Sequence, residues 1–219
     1  MKARPVHWRL IAHFARRRLL RDTDRATAEG ILRRGRAGYV DLVESVEGVG
    51  ESNPMASNLH WACALFALWD ASERALSVED LLAVVEALTT SFPMRLLGRF
   101  GDLNKPEVMR GFARRIEETA QWARHHRGEC PAAWQIEPGP GPRRADVFFR
   151  ITRCPLADMA KARGYGEIMP AICGSDYLTV ALFRGELLRE RTIAEGASDC
   201  DFLIRARAPR RAGGGQPAG

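Results

Sequence analysis

The chain has 219 residues, of which 46% are hydrophobic and 27% are charged, an ordinary composition for a soluble globular protein. Its formal net charge of +6 comes from the two ends, because residues 1–36 and 205–219 are rich in arginine whereas the stretch between them is mildly acidic. A nucleic-acid enzyme carries positive charge beside its site, so this distribution argues against nucleic acid as a partner.

Export and membrane signals are lacking in the sequence. The basic N-terminal residues are not followed by the apolar segment of a secretory leader. The longest apolar run, residues 59–69, is well short of the roughly 20 residues that cross a bilayer. The five cysteines are an odd number, which argues against a disulfide framework. We therefore expect a cytoplasmic protein without a membrane partner, whose free thiols are buried or take part in chemistry.

Apolar residues at helical spacing predict a helical part over about residues 5–128. Its first helices are expected over about residues 6–20, over about 27–46 with interruptions at Gly35 and Gly38, and over 58–69 with Ser57 or Asn58 as the cap. A capping box at residues 77–80 opens the next helix, which ends near Pro93. The last helix begins after Asn104 as its cap and runs to about His126.

The spacing of the apolar residues changes from helical to alternating after a hinge-like loop at residues 137–144. Alternating apolar residues predict strands at about 147–154, 177–183, 187–194 and 200–207, with short helices at 156–163 and 166–173. The predicted class is α+β, with a helical N-terminal two-thirds packed on a small antiparallel β-sheet formed by the C-terminal third. We expect one domain over residues 1–207, whose sheet part covers about 146–207, and a disordered tail over 208–219.

Three cysteines of the sheet part lie at the ends of predicted elements, where functional sites are often built. They belong to short signatures: Arg153-Cys154-Pro155, Cys173 with Asp176, the run from Thr192 to Gly196, and Cys200-Asp201-Phe202. In this order and spacing, the signatures resemble the L-2-amino-thiazoline-4-carboxylic acid hydrolase family over about residues 146–206. One position differs, because Leu203 follows Phe202 where family members often carry an arginine, which puts carboxylate recognition at that position in doubt.

The resemblance implies hydrolysis of a C–N bond in a thiazoline or cyclic amidine-like small molecule, as in a bacterial biosynthetic or tailoring step. A thiolate of Cys200, or alternatively of Cys173, would be the nucleophile. Asp176 and Glu195 would transfer protons. The residues expected to contact the substrate are Cys154, Arg191, Thr192 and His60. Neither a metal nor an organic cofactor is expected, since the Gly-rich run 213–215 follows no strand and cannot be a phosphate loop.

Two alternatives stay open. A cysteine nucleophile needs a cationic neighbour, which would have to be Arg153, Arg191 or His60; without one, an acid-activated water would attack directly and the cysteines would only pack. In the second alternative, the thiols and an acid bind zinc, in a small-molecule-binding or sensor domain of the 4-vinyl reductase type without catalysis. The tryptophans of the helical part could also supply a homo-oligomer interface.

Overall fold

Helices dominate the first part of the computed structural model, which describes residues 1–207. The helices of this part are α1 (Pro5–Leu19), α2 (Arg25–Glu44), α3 (Ala56–Ala71), α4 (Val78–Thr89), α5 (Phe92–Phe100) and α6 (Pro106–His125). The predicted helical part is therefore confirmed. The tail predicted to be disordered, residues 208–219, lies outside the described residues.

A four-stranded antiparallel sheet follows within the described residues, in the order β1-β2-β4-β3. Its strands are β1 (Gln135–Pro140), β2 (Val147–Arg153), β3 (Gly185–Leu188) and β4 (Cys200–Ala206), and between β2 and β3 lie α7 (Pro155–Arg163) and α8 (Met169–Leu182). The central pair places Ile151 opposite Cys200 and Phe149 opposite Phe202 on the buried face. The predicted α+β class is confirmed.

Helix α3 lies at the centre of the helical part and is buried nearly all round, as its sequence predicts. Its side chains of Leu59, Phe66 and Trp69 are fully buried, and the Phe66 ring stacks on Tyr165 with 4.5 Å between ring centres. Burial of each large apolar side chain contributes about 1.5–3 kcal/mol. Because α3 contacts α1, α2 and α7, it joins the N-terminal helices to the segment that follows β2.

The predicted boundaries of these helices are partly right. The capping box is confirmed, since the Ser77 hydroxyl accepts a hydrogen bond from Asp80 N and the Asp80 carboxylate accepts one from Ser77 N. The interruption of α2 is wrong: the helix continues through Gly35, whose missing side chain leaves room for the Trp8 ring. Helix α3 begins at Ala56 without a side-chain cap.

Two further boundaries differ from the prediction. Pro93 lies in the first turn of α5, where a missing N–H is tolerated, rather than at the end of α4. Asn104 does not cap α6, because its amide donates to Asp102 Oδ1 and to the carbonyl oxygen of Arg184. Among the described residues, no single helix could span a membrane; one bent pair, α4 with α5 at 66°, reaches the necessary length and apolarity.

The strand predicted at residues 177–183 is wrong, and these residues continue helix α8. Their β-branched and aromatic side chains favour a strand locally, but packing of α8 against α4 decides for the helix. The helix passes into β3 through Arg184, which has a left-handed backbone with φ of 59°. The predicted hairpin of 177–183 with 187–194 is therefore replaced by a pairing of β3 with β4.

The hinge-like loop predicted at residues 137–144 is also wrong in its first half, which forms strand β1. Its residues Pro138 and Pro140 cannot donate ladder hydrogen bonds. Strand β1 is the edge of the sheet, where proline is tolerated because one side of the strand needs no partner. The proline-rich composition therefore indicated an edge strand as much as a loop.

Candidate active site

The side chain of Arg189, just after β3, connects helix α8 to the sheet. Its Nη1 donates to Oδ2 of Asp176 over 2.8 Å, and its Nη2 donates to the carbonyl oxygen of Cys173 over 2.9 Å. The guanidinium carbon lies 5.1 Å from the ring centres of both Tyr177 and Phe202, and the side chain is only 5% exposed. Two aromatic rings and two acceptors fix this arginine, and through it Asp176, at the sheet.

Three thiols lie around this ion pair. Cys173 precedes Asp176 by one helical turn on α8, and Cys200 opens β4 on the same buried face as Phe202. Cys154 follows β2 directly and begins α7. Cys200 raises the pKa of both Cys154 and Cys173, and Asp176 raises the pKa of all three thiols, so these groups share one region. The structure thus brings together the cysteines that the sequence singles out.

These thiols are protonated at neutral pH. Burial raises the pKa of Cys154 to about 11 and that of Cys173 to about 12, and it also raises the pKa of Cys200. The N–H of Ile193 donates to Sγ of Cys200 over 3.2 Å and acts in the opposite direction. Arg189 also lowers the pKa of Cys173 and Cys200, but burial has the larger effect.

The pKa of the Asp176 carboxyl group is shifted toward neutral pH. Burial raises its pKa to about 6, against the opposing influence of Arg189. Its side chain nevertheless keeps 41% of its accessible surface. A carboxyl group with both properties is partly enclosed by protein and can still be reached by a small molecule. A group with this pKa exchanges protons readily near neutral pH, as a general acid or base does.

Thr192 and Glu195 pair with each other in the turn before β4. The Thr192 hydroxyl donates to Oε2 of Glu195 over 2.7 Å and accepts a bond from the Glu195 backbone N–H. Thr192 is buried and caps a short 3₁₀ turn, Ile193–Glu195, whereas Glu195 is exposed. These contacts order the turn that presents Cys200.

Arg191 faces two other acids of the same segment. Its Nε donates to Oδ1 of Asp199 over 2.8 Å, and Asp199 is also 3.8 Å from Nη1 of Arg150. The Asp201 carboxylate accepts bonds from the backbone N–H groups of Glu190 and Arg191. Arg191 thus neutralises the acids beside Cys200, and its contacts do not include Asp176.

His60 lies among the first helices rather than at the thiols. Its Nδ1 is 3.0 Å from the Tyr39 hydroxyl, and its ring stacks on His7 with 4.8 Å between ring centres. The residue is fully buried, and burial lowers its pKa to about 4. The cationic side chain near Cys200 is Arg189, so the expected approach of His60 to Cys200 is corrected.

Sequence reasoning missed Arg189 and chose its neighbour Arg191. Leu187 of β3 is buried, and a strand returns to the same face every second residue, so Arg189 shares the side of Leu187. Alternation alone would place Arg191 on that side too, because it is two residues further on. The end of β3 at Leu188 is what separates the two arginines, and the sequence did not mark that end.

The thiols do not form a metal centre. Within residues 1–207, no group of three His, Cys, Asp or Glu side chains has an arrangement that could hold a metal ion. The zinc-binding alternative therefore has no candidate ligand set in this part of the chain.

Comparison with known proteins identifies the family. The sequence model of the L-2-amino-thiazoline-4-carboxylic acid hydrolases matches residues 58–204, from helix α3 to strand β4. The chain belongs to this family. No match was found among curated proteins or among solved structures. The matched region of this hydrolase family contains the ion pair, all three thiols and the turn that precedes β4.

Proposed function

We propose that the protein is a hydrolase that opens a 2-amino-thiazoline or a related cyclic amidine by cleaving a ring C–N bond. Membership of the thiazoline-carboxylate hydrolase family supports the reaction class. The single observation that carries the proposal is Asp176, an accessible carboxyl group with a pKa raised to about 6 and held by Arg189. A group of this kind can receive a proton from water and return it at neutral pH.

The geometry of Asp176 also suits an amidine. Arg189 occupies only Oδ2, and within residues 1–207 no side chain or backbone N–H is hydrogen-bonded to Oδ1. The remaining oxygen can accept one charge-assisted hydrogen bond from an N–H group. An amidine carries such N–H groups, so we place the exocyclic amino group of the substrate at Oδ1.

The reaction then needs one water molecule. Its oxygen bonds to the amidine carbon, and one of its protons passes to the Asp176 carboxylate, which gives a tetrahedral intermediate. The bond from this carbon to the ring nitrogen breaks, and that nitrogen receives both water protons, one from Asp176 and one from the hydroxyl group of the intermediate, whose oxygen becomes the carbonyl oxygen. The product has the elements of substrate plus water: a carbamoyl group on sulfur and a free amine. Arg189 keeps the carboxyl group in place through both transfers.

The thiols line this site in their protonated form. With pKa values of about 11 and about 12, Cys154 and Cys173 carry almost no thiolate at neutral pH, and burial moves Cys200 in the same direction. We therefore assign the attack to water, and assign to Cys200 and Cys173 the shape and low polarity of the pocket. Thr192, Glu195 and Arg191 order the turn that carries Cys200.

The test is turnover by purified protein of 2-amino-thiazoline-4-carboxylate and of 2-amino-thiazoline, which lacks the carboxylate. Mass spectrometry should detect a ring-opened product heavier by one water. Asp176→Asn should slow its formation by about 10²–10⁴-fold, whereas Asp158→Asn, which removes a surface carboxylate that is paired with Arg153, should not. Absence of product with both compounds, or full activity of Asp176→Asn, would refute the proposal.

A further inference from the structure

A concave surface lies on the N-terminal helices, outside the region shared with the hydrolase family. It is a groove of about 890 Å³ between α1 and α2, and its lining includes neither the three clustered thiols nor Asp176. Pockets that bind small ligands have volumes of this order, about 300–1,000 Å³. The groove is therefore large enough for a separate ligand.

The floor of the groove is set by one close contact between the helices. A side chain at Gly35 of α2 would lie 2.4 Å from the ring of Trp8 on α1, so only glycine allows the indole to pack there. Trp8, Ala12, Leu32 and Val40 form the apolar lining. The indole ring of Trp8 packs between α1 and α2 at the bottom of the groove, and longer side chains line its edge.

The rim of the groove is basic on balance, because four arginines line it together with Glu29 and Glu44. Arg9 of α1 and Arg33 and Arg36 of α2 line it, and all three are exposed. In the described part of the chain, no carboxylate lies within 4.0 Å of these three guanidinium groups. A fourth arginine, Arg16, pairs with Glu29. Like charges that face each other across a groove repel, and an anion that binds between them removes this repulsion.

From these features we infer that the groove binds a small molecule of the nucleotide class, with a phosphate group between the arginines and a flat ring on the apolar floor. Arginine matches phosphate oxygens with paired N–H donors. The apolar lining excludes a purely inorganic anion as the best ligand, because such an anion would leave the floor uncovered. The ligand class is therefore defined by two features of the ligand, a phosphate group that contacts the arginines and a flat ring that contacts the apolar floor.

The test is calorimetric titration of the full chain with ADP, pyrophosphate and adenosine. We expect ADP to bind at least tenfold more tightly than either of the others. Arg33→Glu combined with Arg36→Glu should weaken ADP binding at least tenfold. The matched control is Arg110→Glu with Arg114→Glu, which reverses the same number of exposed charges on helix α6 and should change affinity less than twofold.

Thermal unfolding first establishes that both double variants are folded; if the groove variant is not, Arg33→Gln with Arg36→Gln replaces it. Equal weakening by the groove and control variants would mean binding to overall charge and would overturn the inference. So would pyrophosphate binding as tightly as ADP, because the apolar floor would then contribute nothing. Absence of ADP binding to the unmodified chain would overturn it as well.

Discussion

Arg189 and Asp176 form an ion pair of 2.8 Å between the segment after β3 and helix α8, and the arginine is almost completely buried while the carboxylate remains accessible. This asymmetry assigns different tasks to the two partners. The arginine is a fixed positive charge, and the carboxylate is the member of the pair that a substrate can reach.

The pH dependence of hydrolysis should follow the titration of Asp176. Burial raises the pKa of this carboxyl group to about 6, and the water-activating form is the carboxylate. We therefore expect kcat/KM to rise with pH through about 6 and then level off. In Asp176→Asn the rate should fall by about 10²–10⁴-fold. A pH series of initial rates measures both, and a rate that falls through pH 6 would contradict the base role.

Replacement of Arg189 should move this pH dependence upward. An opposite charge near a carboxylate lowers its pKa by about 1–3 units, so Arg189→Met should raise the midpoint of the rate profile by at least about one unit. The measurement is the same pH series. The control is Arg153→Met, which removes the partner of the surface residue Asp158 and should leave the midpoint in place. An unchanged midpoint in Arg189→Met would show that the ion pair does not tune the carboxyl group.

The thiol of Cys200 should be dispensable for the chemical step. Since burial raises its pKa, Cys200→Ser should retain kcat/KM within about tenfold, far less than the loss expected at Asp176. The serine hydroxyl can still accept the bond from Ile193 N. Mass spectrometry of the protein during turnover should show no covalent adduct. An adduct on Cys200, together with a loss of 100-fold or more in Cys200→Ser, would instead establish a cysteine nucleophile.

Acid should destabilise the protein through His60. Burial lowers the pKa of this histidine to about 4, whereas the unfolded chain binds the proton near pH 6.5. The stability that depends on neutral His60 is therefore complete above about pH 6.5 and is lost as the pH falls toward 4, by about 1.4 kcal/mol per pH unit. The pKa of His7 is lowered as well and acts in the same direction.

Urea unfolding at several values between pH 5 and 7 measures this effect. His60→Gln should flatten the pH dependence of the unfolding free energy. His13→Gln, which changes an exposed histidine of α1, should leave it as steep as in the unmodified chain. Identical slopes for all three proteins would exclude His60 as the source.

Gly35 should tolerate no side chain. An added Cβ would lie 2.4 Å from the Trp8 ring, which is buried, so Gly35→Ala should lower the free energy of unfolding by about 1–3 kcal/mol. Gly111 is the matched control, because it also lies inside a helix and a Cβ there meets nothing within 4 Å. Gly111→Ala should raise stability by about 0.5–1 kcal/mol. Denaturant titration distinguishes the two, and equal effects would contradict the close packing at Trp8.

The sequence predicted the structure correctly where the local pattern of apolar and polar residues agrees with the burial of each element. Helix α3 is apolar on every side and is buried on every side, and the capping box at Ser77 forms from residues three apart. Strands β2 and β4 alternate, and each buries one face. Cys154 and Cys200 lie at the ends of elements, as predicted. The predicted helix end at Cys173 is wrong, because this residue lies inside helix α8.

The failures have physical causes. Residues 177–182 have strand propensity, but they are helical in the packed protein, where α8 contacts α4 and β3. Arg189 and Arg191 are two residues apart, and the direction of each depends on where the chain bends after β3. His60 was placed near the thiols by its chemistry alone, whereas its neighbours Tyr39 and His7 come from α2 and α1.

The guanidinium group of Arg189 packs against Tyr177 of α8 and Phe202 of β4. The same group holds the carboxylate of Asp176. A slight slip of α8 along the sheet would separate these rings and change the proton affinity of the carboxyl group at once. The pKa of Asp176 therefore depends on the packing of α8 against the sheet. A chain whose helices and strands are formed but not correctly packed would lack the proton chemistry of this carboxyl group.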